Sequence, residues 1–137
     1  MSYEESLRSI SLDADASLAG YTGVPGQPGS ADPNYGKLYR FVKVTGAHKV
    51  GLCTADADKI VGVAQSKPQV TGAAVTVAIS GVSNVTVGAA FSAGDYLTTD
   101  STGRAVSTVT AAKAFGVALA DGVTVNSIVP VLLGKRS

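Results

Sequence analysis

The sequence predicts an all-β domain preceded by an extended N-terminal arm. Small residues dominate the composition, since 81 of 137 residues are Gly, Ala, Val, Ser or Thr, whereas the chain has three Phe and no Trp. Short apolar segments alternate with small or polar residues, and glycines separate them at close intervals. This pattern is typical of short antiparallel strands joined by tight turns, as in a β-sandwich or a small barrel.

The arm is predicted over residues 1–36, where no helical or alternating pattern lasts, although the segment from Ser6 to Ser17 allows one short helix. Three of the five prolines and four of the glycines fall within residues 21–36. Proline removes an amide donor and glycine adds backbone entropy, so regular structure is not expected there. We therefore expect an arm at 1–36 and a β-domain at 37–137.

Eight strands are expected in the domain. The first follows Lys37, where Leu38, Arg40 and Val42 alternate with residues of different character. The others, in chain order, are Val50–Thr54, Ile60–Gln65, Val75–Ser80, Asn84–Val87, Tyr96–Thr99, Ala114–Leu119 and Ser127–Leu133. The glycines at 46, 72, 81, 88, 94, 103 and 122 are expected to lie in the turns between strands. Pro130 cannot donate to a ladder, which predicts that its strand lies at an edge or is bulged.

A faint internal repeat runs through the domain. Residues 59–64 (KIVGVA) recur as residues 113–118 (KAFGVA), so that Gly62 and Gly116 are 54 positions apart. An alternating segment follows each copy. We interpret the repeat as two β-halves of similar pattern that close on one another as a barrel.

No catalytic or cofactor-binding constellation is present in the sequence. A cysteine nucleophile needs an activating base, and the only histidine, His48, lies in the same polar turn region as the only cysteine, Cys53. We expect Cys53 to be a small buried side chain. The best acid pair, Asp95 and Asp100, flanks a short strand, and we expect both carboxylates to accept turn amides rather than to catalyse a reaction.

A metal site, a nucleic-acid partner and a membrane partner are not expected either. The pairs Asp56/Asp58 and Asp13/Asp15 lack the further carboxylates of a calcium loop. The chain has 11 Lys plus Arg against 10 Asp plus Glu, a net charge of +1, which argues against a nucleic-acid partner. No apolar run is long enough to predict a membrane span, so no membrane partner is expected.

Ordered motifs between Ile60 and Leu133 resemble the head decoration, or capsid cement, proteins of tailed bacteriophages. The motifs are residues 62–65 (GVAQ), 75–82 (VTVAISGV), 87–97 (VGAAFSAGDYL), 100–106 (DSTGRAV), 115–120 (FGVALA) and the closing strand 129–133 (VPVLL). They occur in the family's order and at family-like spacing, and they cover about half of the chain.

The resemblance implies a small β-barrel or β-tulip-like domain that is added to the outside of an assembled capsid. Such proteins commonly form homotrimers that bridge neighbouring capsomers, so the implied partners are the major capsid protein and further copies of the chain. The implied location is the virion, on the outer capsid surface, after synthesis in the cytoplasm of the host bacterium. The resemblance implies no catalysis and no cofactor.

Two sets of residues are singled out on this basis. The matched scaffold positions, expected to be structural turns, are Gly62, Gly94, Asp95, Asp100, Gly103 and Gly116. The arm matches no family motif, but its aromatic and apolar groups on a polar segment are typical of interface anchors. These candidate partner-binding residues are Tyr3, Tyr21, Val24, Pro25, Pro28 and Tyr35.

Two other structural roles remain open. A phage tail or baseplate component is more often fused to longer fibrous or coiled-coil segments, which this sequence does not show, but an accessory β-domain of that kind fits the same pattern. A carbohydrate-binding β-sandwich usually presents an aromatic platform, whereas Tyr39, Phe41 and Tyr96 are scattered along the sequence. An enzyme is the alternative that the sequence favours least.

Overall fold

The computed structural model describes residues 8–15, 39–55, 58–66, 72–110 and 113–134. Within these ranges the chain forms nine β-strands and no α-helix, which confirms the predicted all-β class. The strands are β1 (Arg8–Ala14), β2 (Phe41–Gly46), β3 (Lys49–Leu52), β4 (Ile60–Ala64), β5 (Ala74–Thr86), β6 (Tyr96–Thr99), β7 (Ala105–Ser107), β8 (Gly116–Ala118) and β9 (Ile128–Leu133).

Five strands form what we call the first ring. Their order is β1-β3-β2-β4-β5, and β5 also pairs with β1, which closes the sheet on itself. The β1–β3 pair is parallel, whereas the other pairs are antiparallel. Closure leaves no edge strand in this ring and supports a barrel-like architecture.

The second ring is built from the end of β5 and the last four strands. The order continues β5-β9-β8-β6-β7, and all these pairs are antiparallel. A parallel bridge between Val87 and Ala105 brings the chain just after β5 back to β7. The second ring therefore closes in the same sense as the first, through one bridge.

Strand β5 belongs to both rings and is the link between them. Its first half pairs with β1 and β4, and its second half, from Gly81 onward, pairs with β9. Gly81 was expected to end one strand and begin a turn, but the strand continues through it with a φ of 97°. A glycine tolerates this left-handed conformation without a Cβ clash, so the strand changes partners there without a break.

The two rings have matching strand registers. In the first ring Val63 lies opposite Ala78, and 54 positions later Val117 lies opposite Leu132. In the hairpins, Val42 pairs with Leu52, and 55 positions later Leu97 pairs with Ser107. The predicted repeat therefore corresponds to a real duplication of strand pairing.

The remaining strands complete the duplication. Leu12 of β1 lies opposite Val75, and in the second ring Val85 lies opposite Val129. The first half of β5 is thus the last strand of the first ring, and its second half is the equivalent of β1. The duplicated units share one continuous strand of 13 residues.

Each ring has its own buried interior. The cluster inside the first ring consists of Ala14, Val42, Val50, Leu52, Ala64, Val75 and Val77. A larger cluster fills the second ring and also contains three side chains of the first ring, Phe41, Val63 and Ala78. The larger cluster therefore holds the two rings together. Since the alternation of a strand sends neighbouring residues to opposite faces, Val42 fills one cluster and Phe41 the other.

The strand that contains Pro130 is neither an edge strand nor bulged, since both of its ladders run without a shift of register, so that prediction is wrong. Strand β9 pairs with β5 on one side and with β8 on the other. The carbonyl oxygen of Pro130 accepts a hydrogen bond from the amide of Leu119 at 3.1 Å, just beyond the end of β8. Because the N and C=O of one residue point to the same side of an antiparallel strand, the missing donor faces the point where that ladder ends.

Part of the expected arm is a strand of the sheet. Arg8–Ala14 forms β1, so the short helix allowed over Ser6 to Ser17 is not formed at these residues. The physical reason is tertiary: six residues of β1 pair with β5, and Asp13 and Ala14 also pair with β3. Such non-local pairing overrides a weak local preference. The division of the chain at residue 36 stays a prediction for residues 16–36, which lie outside the described ranges.

Candidate interaction surfaces

Cys53 and His48, the two residues considered as a catalytic pair, differ in burial. Cys53 is fully buried, and burial, with a smaller effect of Asp58, raises the pKa of its thiol to about 12. His48 lies in the exposed turn between β2 and β3. A thiol with such a raised pKa is protonated at neutral pH and is a poor nucleophile.

Asp100 organises the turn between β6 and β7. Its carboxylate accepts the amides of Thr102 and Arg104 at 2.9 and 2.8 Å, and Arg104 Nε donates to it at 3.0 Å. Gly103 takes a φ of 79° in this turn, and its amide donates to the backbone carbonyl of Asp100 at 3.4 Å. The first ring contacts the same turn, because the amide of Phe41 donates to the carbonyl of Gly103 at 2.7 Å.

Arg40 adds a second bond between this turn and the first ring. Its guanidinium Nη1 donates to the carbonyl of Thr102 at 2.9 Å. Burial and the neighbouring Arg104 lower the pKa of Arg40, while Asp100 raises it. The expected scaffold residues Asp100 and Gly103 therefore lie where the two rings meet.

Asp95 and Asp58 also accept backbone amides in turns, in both cases from residues that precede them in the chain. The Asp95 carboxylate accepts the amide of Ser92 at 2.9 Å, next to Gly94 with its φ of 90°. Asp58 accepts the amide of Thr54 at 2.7 Å and the Lys43 ammonium at 3.0 Å. These bonds lower the pKa of Asp58 to about 2, the Thr54 amide having the largest effect. Each carboxylate is thus held by its own turn.

Gly62 and Gly116 lie in strands β4 and β8, so the expectation that they are turn residues is wrong. A Cβ on Gly62 would overlap the carbonyl oxygen of Ala78 on the neighbouring strand. A Cβ on Gly116 would lie 2.6 Å from Val131 Cγ1 and 3.0 Å from the carbonyl oxygen of Leu132. The two glycines are required by the same close approach of strands in the two rings.

The candidate partner-binding residues Tyr3, Tyr21, Val24, Pro25, Pro28 and Tyr35 lie outside the described residues. Their role as contacts stays a prediction. Among the residues that the structure describes, no group of three or more metal-ligating side chains is found, and no helix is long and apolar enough to cross a membrane. Asp13 and Asp15 belong to or follow β1, and Thr45 donates to the Asp15 carboxylate at 2.7 Å.

An exposed apolar row crosses the second ring. Tyr96 on β6, Val117 on β8 and Leu132 on β9 lie directly opposite one another and therefore share the outward face. We call these three residues the second outer row. Tyr96 is 43% exposed and Leu132 is 36% exposed. Sequence reasoning missed this row, because its residues become neighbours only through the pairing of β6, β8 and β9.

A shallow depression lies on the first ring. It has a volume of about 500 Å³ and is lined by Lys43, Val44, Lys59, Ile60 and Val61. Its lining is mainly apolar and includes two lysines. A smaller depression of about 270 Å³ is lined in part by Phe91, Asp121 and Val123. Both depressions are open, so they are more typical of macromolecular contacts than of enclosed small-molecule sites.

Comparison with known proteins points to phage particles. A family model described as phage cement protein matches residues 37–133, well over half of the chain. The crystal structure of the head fiber gp8.5 N base in bacteriophage phi29 is similar in fold, with a TM-score of 0.64 and 17% sequence identity. That match covers 96% of this chain and 98% of the other chain. No curated protein matches the chain in sequence.

Proposed function

Since the chain belongs to the phage cement protein family, as its motifs predicted, we propose that it binds the outside of an assembled phage capsid and stabilises the shell by bridging neighbouring capsomers. Family membership makes it a capsid-associated structural protein. The single observation that carries the proposal is the family match, which spans β2 to β9.

The proposed partners are the major capsid protein and two further copies of the chain in a homotrimer. A trimer that contacts several capsomers at once gains avidity, because each further contact forms at a high effective concentration. The exposed apolar residues of the second ring and the open depression of the first ring supply surface for such contacts. The role is structural, and no reaction, cofactor, nucleic acid or membrane is part of it.

The N-terminal segment is proposed to take part in capsid contacts. Its candidate residues remain Tyr3, Tyr21, Val24, Pro25, Pro28 and Tyr35. Deletion of all residues from 1 to 36 is a poor test of this role, because it also removes β1 from the first ring. Substitutions within residues 16–36 leave β1 intact and test the contacts alone.

Co-sedimentation with undecorated, expanded heads of the parent phage tests the proposed function. Purified protein is added in increasing amounts, and bound copies are counted per major capsid protein. We expect saturation at a fixed ratio that corresponds to one class of lattice position. Binding to tails or baseplates but not to heads would instead support the accessory tail domain.

The arm contacts are tested in the same assay. A variant with Tyr21→Ser and Tyr35→Ser is expected to bind heads more weakly, because aromatic anchors contribute a large share of interface energy. Val109→Ser is the control, since Val109 is fully exposed in a loop of the domain. Equal binding of the tyrosine variant and the control would overturn the role of the arm.

A further inference from the structure

The duplicated rings have outer rows at matching positions but with opposite burial. In the first ring, Phe41, Val63 and Ala78 lie opposite one another as Tyr96, Val117 and Leu132 do in the second. We call the former set the first outer row. All three of its side chains are 0% exposed, whereas in the second outer row Tyr96 and Leu132 are exposed and Val117 is half-buried.

The first outer row is covered by the second ring of the same chain. Its residues belong to the cluster that contains Phe115, Val131 and Leu133. The ring of Phe41 meets that of Phe115 edge to face, with centroids 6.4 Å apart and planes at 76°. The part of the second ring that contains Phe115, Val131 and Leu133 therefore covers the outward face of the first ring. We call this covering surface the receptor.

The equivalent receptor on the first ring is open. By the 54-residue repeat, Phe115 and Leu133 correspond to Val61 and Ile79, which are only partly buried against the first-ring cluster. By the 55-residue repeat, Thr99 of the second ring corresponds to Val44 of the first. Thr99 is 1% exposed and Val44 is 59% exposed.

The depression described above lies at this open receptor. Val44 and Val61 line it, together with Lys43, Lys59 and Ile60. The corresponding positions of the second ring include Ala114 and Phe115, which are buried. Among the described residues, the first outer row is covered by the receptor of the second ring, whereas no described strand covers the second outer row or the receptor of the first ring in the same way.

We propose that the second outer row of one copy docks onto the first-ring receptor of a second copy, repeating between chains the contact that the two rings make within one chain. The occupant of the exposed row is therefore another copy of this protein. The contact is head to tail, because different surfaces of the two copies meet, and such a contact closes a ring when its rotation permits. The inference rests on the homotrimer of the proposed function and assigns its interface.

The test is the mass of the free full-length protein by light scattering at several concentrations. Leu132→Glu places a charge on the second outer row, and Val44→Glu places one at the receptor. Both side chains are partly exposed, so both variants are expected to fold, which their unfolding transitions check. Val109→Glu, at a fully exposed loop position, is the charge-matched control.

We expect the wild-type protein and Val109→Glu to have the mass of a closed oligomer, and each of the other two variants to be a monomer. An equimolar mixture of Leu132→Glu and Val44→Glu is expected to form two-chain species and nothing larger, because each pair has one intact row and one intact receptor. A mixture that remains monomeric, or a wild-type protein that is a monomer, would overturn the inference. Retention of oligomer mass by either variant would overturn it too.

Sedimentation of the same variants with heads separates this inference from the proposed function. A monomeric wild-type protein that still saturates heads would overturn the proposed interface but would support the capsid role. An oligomer whose variants behave as expected but which binds no heads would support the interface and contradict the capsid role. If Leu132→Glu keeps its oligomer mass but loses head binding, the row contacts the capsid protein and not a second copy.

Discussion

At the scale of single residues, the scaffold is held by close contacts that leave little room for change. Gly62 and Gly116 permit the same strand approach in the two rings. Asp58, Asp95 and Asp100 each satisfy backbone amides in a turn. Backbone amides in turns have no ladder partner, so a carboxylate that accepts them stabilises an otherwise unsatisfied loop.

Replacing Gly62 by alanine is expected to destabilise the protein by about 1–3 kcal/mol, because the new Cβ must displace the backbone of β5. Gly46→Ala is the matched control, since its Cβ would have its nearest neighbour at 3.7 Å. Urea unfolding of both variants measures the difference. Equal midpoints for the two variants would contradict the close approach of β4 and β5.

Asp58 is expected to make the protein sensitive to acid. Folding lowers the pKa of this group from 3.8 to about 2, so its stabilising contribution is present above about pH 4 and is lost as the pH falls toward 2. Asp58→Asn is expected to lower the free energy of unfolding at neutral pH by about 1 kcal/mol, a modest value because the side chain is partly solvated. The difference between variant and wild type should shrink as the pH falls from 4 to 2. A constant difference over that range would show that Asp58 is not the group responsible.

At the scale of the elements, the two rings are joined because one strand changes its pairing partners along its length. Strand β5 serves both rings, and β1 closes the first. The segments Tyr96–Thr99 and Ile60–Gln65 were predicted nearly as they occur, because local alternation and flanking turn residues are sufficient to define short strands. Strand β1 was missed although Ile10, Leu12 and Ala14 alternate with polar residues, because the alternation is short and the proline- and glycine-rich segment that follows favoured an extended arm. Strand β7 was missed because three residues are too few to show a pattern.

Deletion of residues 1–14 is expected to open the first ring, whereas deletion of residues 1–7 keeps β1 whole. Without β1, the buried Val75 and Val77 lose a neighbouring strand, and burial of a valine is worth about 1.5–3 kcal/mol. Thermal unfolding of the two truncated proteins is the measurement. We expect a clear loss of stability only for the longer deletion, and similar melting temperatures for both would show that β1 is dispensable for the ring.

At the scale of the whole molecule, a duplicated scaffold unites two rings through one cluster and leaves one outer row exposed. The first ring caps the second, and nothing within the described residues caps the first in the same way. A protein built like this presents apolar surface at two separate places. Such surface is typical of proteins that act in assemblies.

Heads saturated with the protein are expected to withstand a higher temperature than undecorated heads before they open. The physical reason is that a ligand bound only to the intact lattice shifts the equilibrium toward that lattice. Release of packaged DNA, followed with a fluorescent dye during heating, measures the opening temperature. Heads mixed with an equal amount of a non-binding variant are the control, and an unchanged opening temperature at full occupancy would contradict the cement role.

The sequence alone is sufficient to predict the all-β class, most strand positions, the turn aspartates and the family. These features depend on residue spacing over short stretches, where alternation, glycine and aspartate act locally. It also shows the 54-residue repeat that corresponds to the equivalent strands of the two rings.

Long-range strand pairing sets which strands close each ring and which outer row is covered. Phe41 and Tyr96 occupy equivalent places in similar strands, yet one is buried and the other is 43% exposed. Alternation states which residues share a face, but whether that face meets water or protein depends on partners far away in the sequence. Pro130 and Gly81 were misjudged for the same reason, because the cost of a missing donor or an unusual φ depends on the neighbouring strand.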